Sequence, residues 1–284
     1  MAETEAPILS GVQTEALLTA GMVVISENMR GAMLMAGAMT AYTVNDAFLK
    51  LLEGELPIFQ ALFLRGIGTV IGLLLLARYM GHLRFNLSRR NWVLIGVRTL
   101  TEALAAFFFL SALFNMELAN LSAILQSLPL TVTLAGAVFL GEAVGWRRLV
   151  AILIGFCGVL LIVRPGTSGF NLYSLYALGA VACVTVRDLT ARRMTADVPT
   201  LLVSVTAALG VAFFAGIGAA VTEWSPVSLR SVLLIAGATA FIMSGYVFSV
   251  AAMRSGEIGF VAPFRYTSLI VALILGYLVF GTFP

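Results

Sequence analysis

Residues 36–68 read AGAMTAYTVNDAFLKLLEGELPIFQALFLRGIG, and residues 178–210 read LGAVACVTVRDLTARRMTADVPTLLVSVTAALG. Set 142 positions apart, the two stretches align without a gap. Gly37-Ala38 meets Gly179-Ala180, Thr43-Val44 and Asp46 meet Thr185-Val186 and Asp188, Pro57 meets Pro199, and Gly68 meets Gly210. Further along the offset becomes 140, where Glu117 meets Glu257, Gly136 meets Gly276, and Gly141 meets Gly281. Apolar matches arise easily by chance; shared Asp, Pro and Glu in one frame do not. The alignment predicts an internal repeat of five apolar segments. An odd number of spans makes the second copy enter from the opposite side, the construction used by carriers that hold their site near the midplane. The expected fold is therefore all-α: a polytopic membrane protein of two inverted five-helix repeats.

Working outward from that pair, a span needs ~20 apolar residues to cross a ~30 Å hydrocarbon layer. Nine segments are long enough: 30–50, 57–79, 91–113, 118–140, 147–163, 171–191, 200–222, 230–252 and 258–281. The counterpart of 147–163 would fall beyond Pro284, so the second unit is expected to carry four spans here, with either a tenth helix missing or a protein that works with nine. The expected organisation is a tail over 1–28, a first unit over 29–165 and a second over 166–284. The tail begins with Glu3 and Glu5 and has a short apolar stretch, unlike a signal peptide. With the N-terminus in the cytoplasm, ten basic residues face inward (Arg30, Arg78, Arg84, Arg89, Arg90, Arg147, Arg148, Arg192, Arg193 and Arg254) and three face outward (Lys50, Arg164 and Arg230). That bias sets the expected orientation in the inner membrane. Trp92, Trp146 and Trp224 fall at span ends, where indole favours the headgroup region.

Composition agrees. Of 284 residues, 60% are hydrophobic and 11% charged, against about 25% charged in soluble domains. The net charge of +3 comes from scattered arginines that form no stripe, which argues against nucleic acid. Cys157 and Cys183 sit in apolar segments with no nearby ligand partner and read as packing residues. The single histidine, His82, lies in a loop, which removes the Ser-His route of an intramembrane hydrolase. No His-Glu-x-x-His motif and no phosphate-binding Gly-rich loop is present, so neither a metalloprotease nor an ATP-driven pump is indicated. A transporter leads. A non-transporting membrane subunit explains the spans but not the charges within them.

Those charges are the candidate site, because an ionised group in hydrocarbon costs ~2.5–3.5 kcal/mol on insertion scales and normally faces a cavity or a partner. Asp46 and Lys50 lie one turn apart, with Tyr42 on the same stripe; an i,i+4 ion pair competes with a role toward the solute. Asp188 sits near Arg187, Arg192 and Arg193, which near a helix end can reach water. Arg98 and Glu102 are also one turn apart, and Glu102, near mid-span, is the candidate proton-coupling group. Arg65 and Arg265 have no acid within one turn of their own helices, so each needs a partner on another helix, a wet cavity or a ligand. Arg265 follows Pro263, which should kink its helix, and a guanidinium fork suits a carboxylate or phosphate. Gln126 and Tyr266 occupy matching places in the two units, beside Ser127 and Thr267. Tyr42, Phe107, Phe108, Phe109 and Tyr246 are candidates to stack on a planar ligand. No cofactor or metal is expected. The expected partners are a small-molecule solute and the bilayer, with protons as a candidate coupling ion and a homodimer as a candidate assembly.

Pro129, Gly141-Glu142, Arg147-Arg148, the Gly155/Gly158 helix and Arg164-Pro165, taken in order with the repeat, resemble the EamA family of the drug/metabolite transporter superfamily. The resemblance covers nearly the whole chain from Arg30. Val44-Asn45-Asp46, Asp188 and Ala262-Pro263-Phe264-Arg265-Tyr266 look most like the S-adenosylmethionine transporters of intracellular bacteria, and riboflavin carriers share the broader family. The resemblance implies a solute carrier of the cytoplasmic membrane. The chain departs from the pattern at Gly281-Thr282, where a Glu is expected, and in the absent tenth helix.

Overall fold

The computed structural model describes residues 26–81, 86–116, 121, 124–163 and 172–281. Residues 1–25, His82, Arg84, Glu117 and Arg164, considered above, lie outside them. The ordered elements are helices: α1 (Glu27–Lys50), α2 (Ile58–Tyr79), α3 (Arg89–Asn115), α4 (Leu128–Leu140), α5 (Trp146–Val163), α6 (Tyr173–Arg193), α7 (Thr200–Ala220), α8 (Leu229–Met253), a short α9 (Ile258–Val261), a 3-10 turn (Ala262–Tyr266) and α10 (Thr267–Phe280). Their ends follow local chemistry. Ser26, Ser88 and Ser228 each accept a hydrogen bond from the backbone N–H three residues on, capping α1, α3 and α8. Pro57 and Pro199 stand just ahead of α2 and α7, where a missing N–H costs nothing. Gly141 and Gly281 end α4 and α10 with φ of 71° and 62°, a conformation that favours glycine.

α1 packs on α8, α3 on α6, and α2 on α7. Small residues let these pairs approach closely. A Cβ on Gly66 would meet that of Ala212 at 2.9 Å, and one on Gly245 would meet the Tyr42 ring at 2.5 Å. The outer surface is apolar. Leu75 is 63% exposed, Phe213 74%, Leu233 64% and Leu278 71%. A continuous apolar exterior over a core holding buried charges is the pattern of a protein solvated by lipid.

Six helical segments are long and apolar enough to cross a membrane among the described residues: Ile58–Tyr79, Arg89–Ala112, Tyr173–Arg193, Thr200–Ala220, Leu229–Met253 and Ile258–Phe280. This corrects the expectation of nine spans in two inverted five-helix repeats, which is not borne out. α1 has the length but carries Arg30, Asn45, Asp46 and Lys50. α4 has only 13 residues, because it starts beside Pro129 after a turn at Gln126 and Ser127. α5 has 18 residues but opens on Trp146-Arg147-Arg148, leaving ~22 Å of apolar helix. Apolar run length alone overcounted because it ignored where helices break and how polar their interiors are.

α8 gives the molecule a ruler: its 25 residues span ~37 Å. At its N-terminal end, Glu55 accepts from Ser231 and pairs with Arg230, Gln60 exchanges two hydrogen bonds with the backbone of Ser225 (2.8 and 2.9 Å), and Leu52 and Leu56 pack on Leu234 and Ile235. At its C-terminal end, Arg254 donates to the carbonyls of Val198 and Thr195, Asn91 donates to Thr195, and Ile95, Met194 and Val250 form one cluster. The C-terminal end of α1 therefore lies at one end of α8, and that of α6 at the other.

Candidate functional site

Two helices and the 3-10 turn bring five buried charged residues together at the α6 end. Glu102 of α3 accepts from Arg187 of α6 through Oε1 at 3.0 Å, and its Oε2 lies 3.9 Å from Arg98. Arg187 Nε donates to Asp188 Oδ1 at 3.0 Å, and the other Asp188 oxygen pairs with Arg265 of the 3-10 turn. Arg98 also donates to the Arg187 carbonyl at 3.1 Å. All five are buried, with Arg98 and Asp188 each 1% exposed. Three guanidinium cations face two carboxylates, leaving one formal positive charge. Hydrogen bonding is incomplete as well: Arg98 Nε, Arg265 Nε and Glu102 Oε2 are buried without a partner. Groups that share their charge this way hold α3, α6 and the turn before α10 together.

The 3-10 turn explains how Arg265 reaches Asp188. Pro263 removes an amide donor, and Ala262–Tyr266 tightens to 3-10 geometry between α9 and α10. The Tyr266 hydroxyl donates to the Gln126 carbonyl at 3.1 Å, linking this turn to the chain entering α4. Gln126 and Tyr266 thus meet each other and, among the described residues, do not bond to the five charges.

A second group sits nearer the other end. Asn45 of α1 accepts from Arg65 of α2 at 3.0 Å through its amide oxygen, and its amide nitrogen donates to Asp46 at 2.9 Å. Arg65 and Asn45 are buried, and Arg65 Nε has no partner. Asp46 is exposed. The i,i+4 pair with Lys50 does not form; Lys50 lies over the Phe280 ring, 4.9 Å from its centroid. Arg65 also lines a narrow cleft with Gly66, Thr69, Ala208, Val211 and Tyr246.

Tyr42 and Tyr246 stand between the two groups. Their rings meet edge to face at 6.2 Å, and the Tyr42 hydroxyl shares a 2.8 Å hydrogen bond with Ser249. Both lie within Coulomb range of Glu102 and Arg187, and Tyr246 also of Arg65. A separate cavity of about 320 Å³ is walled by Phe59, Phe107 and Phe214 with Ser111, and no charged side chain lines it. Phe107 and Phe108 pack on Tyr176.

Sequence reasoning placed Arg187, Arg192 and Arg193 together beside Asp188, free to reach water. The three separate: Arg187 turns inward, Arg192 pairs with Glu142 at 3.2 Å, and Arg193 donates to the Phe139 carbonyl at 2.6 Å. Arg187 is the main residue missed; the spacing of 85 to Glu102 gave no local signal. Asn45 was passed over because it carries no charge. Cys157 is exposed rather than packed within the core, and both cysteines are free.

Residues 29–164 match the model of the EamA-like transporter family. The S-adenosylmethionine uptake transporter of Rickettsia bellii (strain RML369-C) is 25% identical over 252 residues, covering 87% of this chain and 84% of that one. The riboflavin transporter of Vibrio cholerae is 30% identical over 164 residues, covering 57% of this chain and 54% of that one. A solved crystal structure superposes with a TM-score of 0.69 at 18% identity, covering 89% of both chains, which shows a shared fold. The chain is thus similar over residues 29–164 to the EamA-like transporter family, and over most of its length to an S-adenosylmethionine uptake transporter.

Proposed function

We propose that the chain is a secondary-active transporter of a small organic metabolite, working by alternating access across the cytoplasmic membrane with its N-terminus inside. The carrying observation is the network of five charged residues buried across α3, α6 and the 3-10 turn, with a net positive charge and three polar atoms left unsatisfied. A purely structural ion-pair cluster would be expected to balance its charges and saturate its hydrogen bonds. The relatives favour S-adenosylmethionine, riboflavin or an amino-acid-like solute.

In this scheme Asp46 lies toward the outer opening and Asp188 toward the inner one. Arg65, and Arg265 once it releases Asp188, are the cations available to an anionic group, with Arg98 supporting Glu102. Tyr42 connects the two charged groups, while Gln126 and Tyr266 brace the turn that carries Arg265. Glu102 is the candidate proton carrier, because its Oε2 is buried 3.9 Å from Arg98 without a hydrogen bond.

Reconstitution into proteoliposomes tests the proposal, with labelled S-adenosylmethionine, riboflavin and amino acids supplied with and without an imposed pH gradient. Saturable accumulation of at least one solute is expected. No uptake above protein-free vesicles, from folded protein, would overturn the function. Transport left unchanged by both Arg265→Ala and Glu102→Gln would overturn the site.

A further inference from the structure

Arg65 and Arg265 are both buried guanidinium groups, yet they are treated differently. Arg265 closes directly on the carboxylate of Asp188. Arg65 has a carboxylate close by, in Asp46, but the neutral amide of Asn45 stands between them. The amide oxygen faces the cation at 3.0 Å and the amide nitrogen faces the anion at 2.9 Å. Two opposite charges are thus held apart by two hydrogen bonds and the width of one carboxamide. A guanidinium prefers a carboxylate on its fork, and Arg65 instead has a neutral acceptor and an unpartnered, buried Nε. Asp46 is accessible, and its recorded partner is the same amide.

We propose that Asn45, Asp46 and Arg65 form the recognition site for a zwitterionic α-amino-carboxylate head group: the ligand's carboxylate binds Arg65 and its ammonium binds Asp46. This rests on the transport function proposed above and narrows its substrate class. Asn45 supplies a neutral dipole of the same sense as the ligand, acceptor toward the cation and donor toward the anion. It keeps the two charges from collapsing onto each other when no solute is bound. A head group carrying full charges satisfies both partners better than the amide, and the amide can turn aside without leaving an ion unpaired. A site for riboflavin alone would have no use for this separation, because riboflavin carries neither an ammonium nor a carboxylate.

The test uses the full chain in proteoliposomes with S-adenosylmethionine, methionine and riboflavin as probes. If none of the three is transported, the proposed function fails at its named substrates. If riboflavin alone moves, the transport function stands and this site assignment is overturned. If S-adenosylmethionine or methionine moves, the carried solute is compared with its decarboxylated counterpart in wild type and Arg65→Gln. Loss of the carboxylate should weaken uptake by wild type about tenfold or more, as expected for a charge-assisted bond. In Arg65→Gln that discrimination should disappear. A gap that survives Arg65→Gln, or that is absent in wild type, overturns the proposal. Asn45→Asp supplies a control that does not depend on deleting a buried cation. It places a carboxylate on Arg65, so it should remain folded by size-exclusion chromatography and lose uptake about tenfold or more. Full transport by folded Asn45→Asp would contradict the assignment.

Discussion

Asp46 and Asp188 follow the same three-residue lead, Thr-Val-x, and lie toward opposite ends of α8, yet their surroundings differ in one decisive position. Before Asp188 stands Arg187, which neutralises it locally and reaches across to Glu102, while Arg265 closes the second oxygen. Before Asp46 stands Asn45, which cannot neutralise it and instead shields it from Arg65. One carboxylate is a buried structural anchor tying three elements; the other is accessible and holds its charge in reserve. On the proposed reading, the same local motif serves as a closed joint at one end and an open receptor at the other. A single side chain, cationic or neutral, makes the difference.

The largest effect should come from breaking the closed joint. Asp188→Ala leaves Arg265 buried without a carboxylate and Arg187 with Glu102 alone, and loss of one partner from a buried pair typically costs ~3–5 kcal/mol. A marked fall in thermal stability in detergent checks it. Next, Gly245→Ala puts a Cβ 2.5 Å from the Tyr42 ring, which lies between the two groups. Overpacking of this kind costs ~1–3 kcal/mol, and the displaced Tyr42 should lower uptake as well as melting temperature. Smaller again, Gln60→Ala removes the paired bonds to Ser225 that fasten α2 to the loop before α8, worth ~1 kcal/mol each at most. Smallest in stability is Asp46→Asn, expected within ~0.5 kcal/mol of wild type because the group is exposed and the change isosteric. Its effect should appear in transport. Glu102→Gln sharpens the comparison differently: it keeps the shape of the joint but removes the carboxylate proposed to carry the proton, so any stimulation of uptake by an inward proton gradient should vanish.

Much of this was legible in the chain. Long apolar runs marked the six helices now seen to be membrane-crossing in length, and Pro263 marked the irregular turn that delivers Arg265. Intramembrane charges named most of the two groups. What failed were inferences confined to one helix. Asp46 and Lys50 have ideal i,i+4 spacing, but Phe280, 230 positions away, offers Lys50 another partner. Arg187 resembled its neighbours Arg192 and Arg193, and only the packing of α3 on α6 turns it toward Glu102. α4 and α5 looked like spans because apolar length was counted through a turn at one and a pair of arginines at the other. Tertiary partners, invisible to spacing rules, decided each case.

The most direct test pairs two isosteric changes, Asp46→Asn and Asp188→Asn, and records uptake and melting temperature for both. Asp46→Asn should lose at least about tenfold in uptake of the carried zwitterion with its melting temperature unchanged, while Asp188→Asn should lower the melting temperature by several degrees. Equal falls in stability, or an Asp46→Asn protein that transports like wild type, would contradict the division between an open receptor and a closed joint.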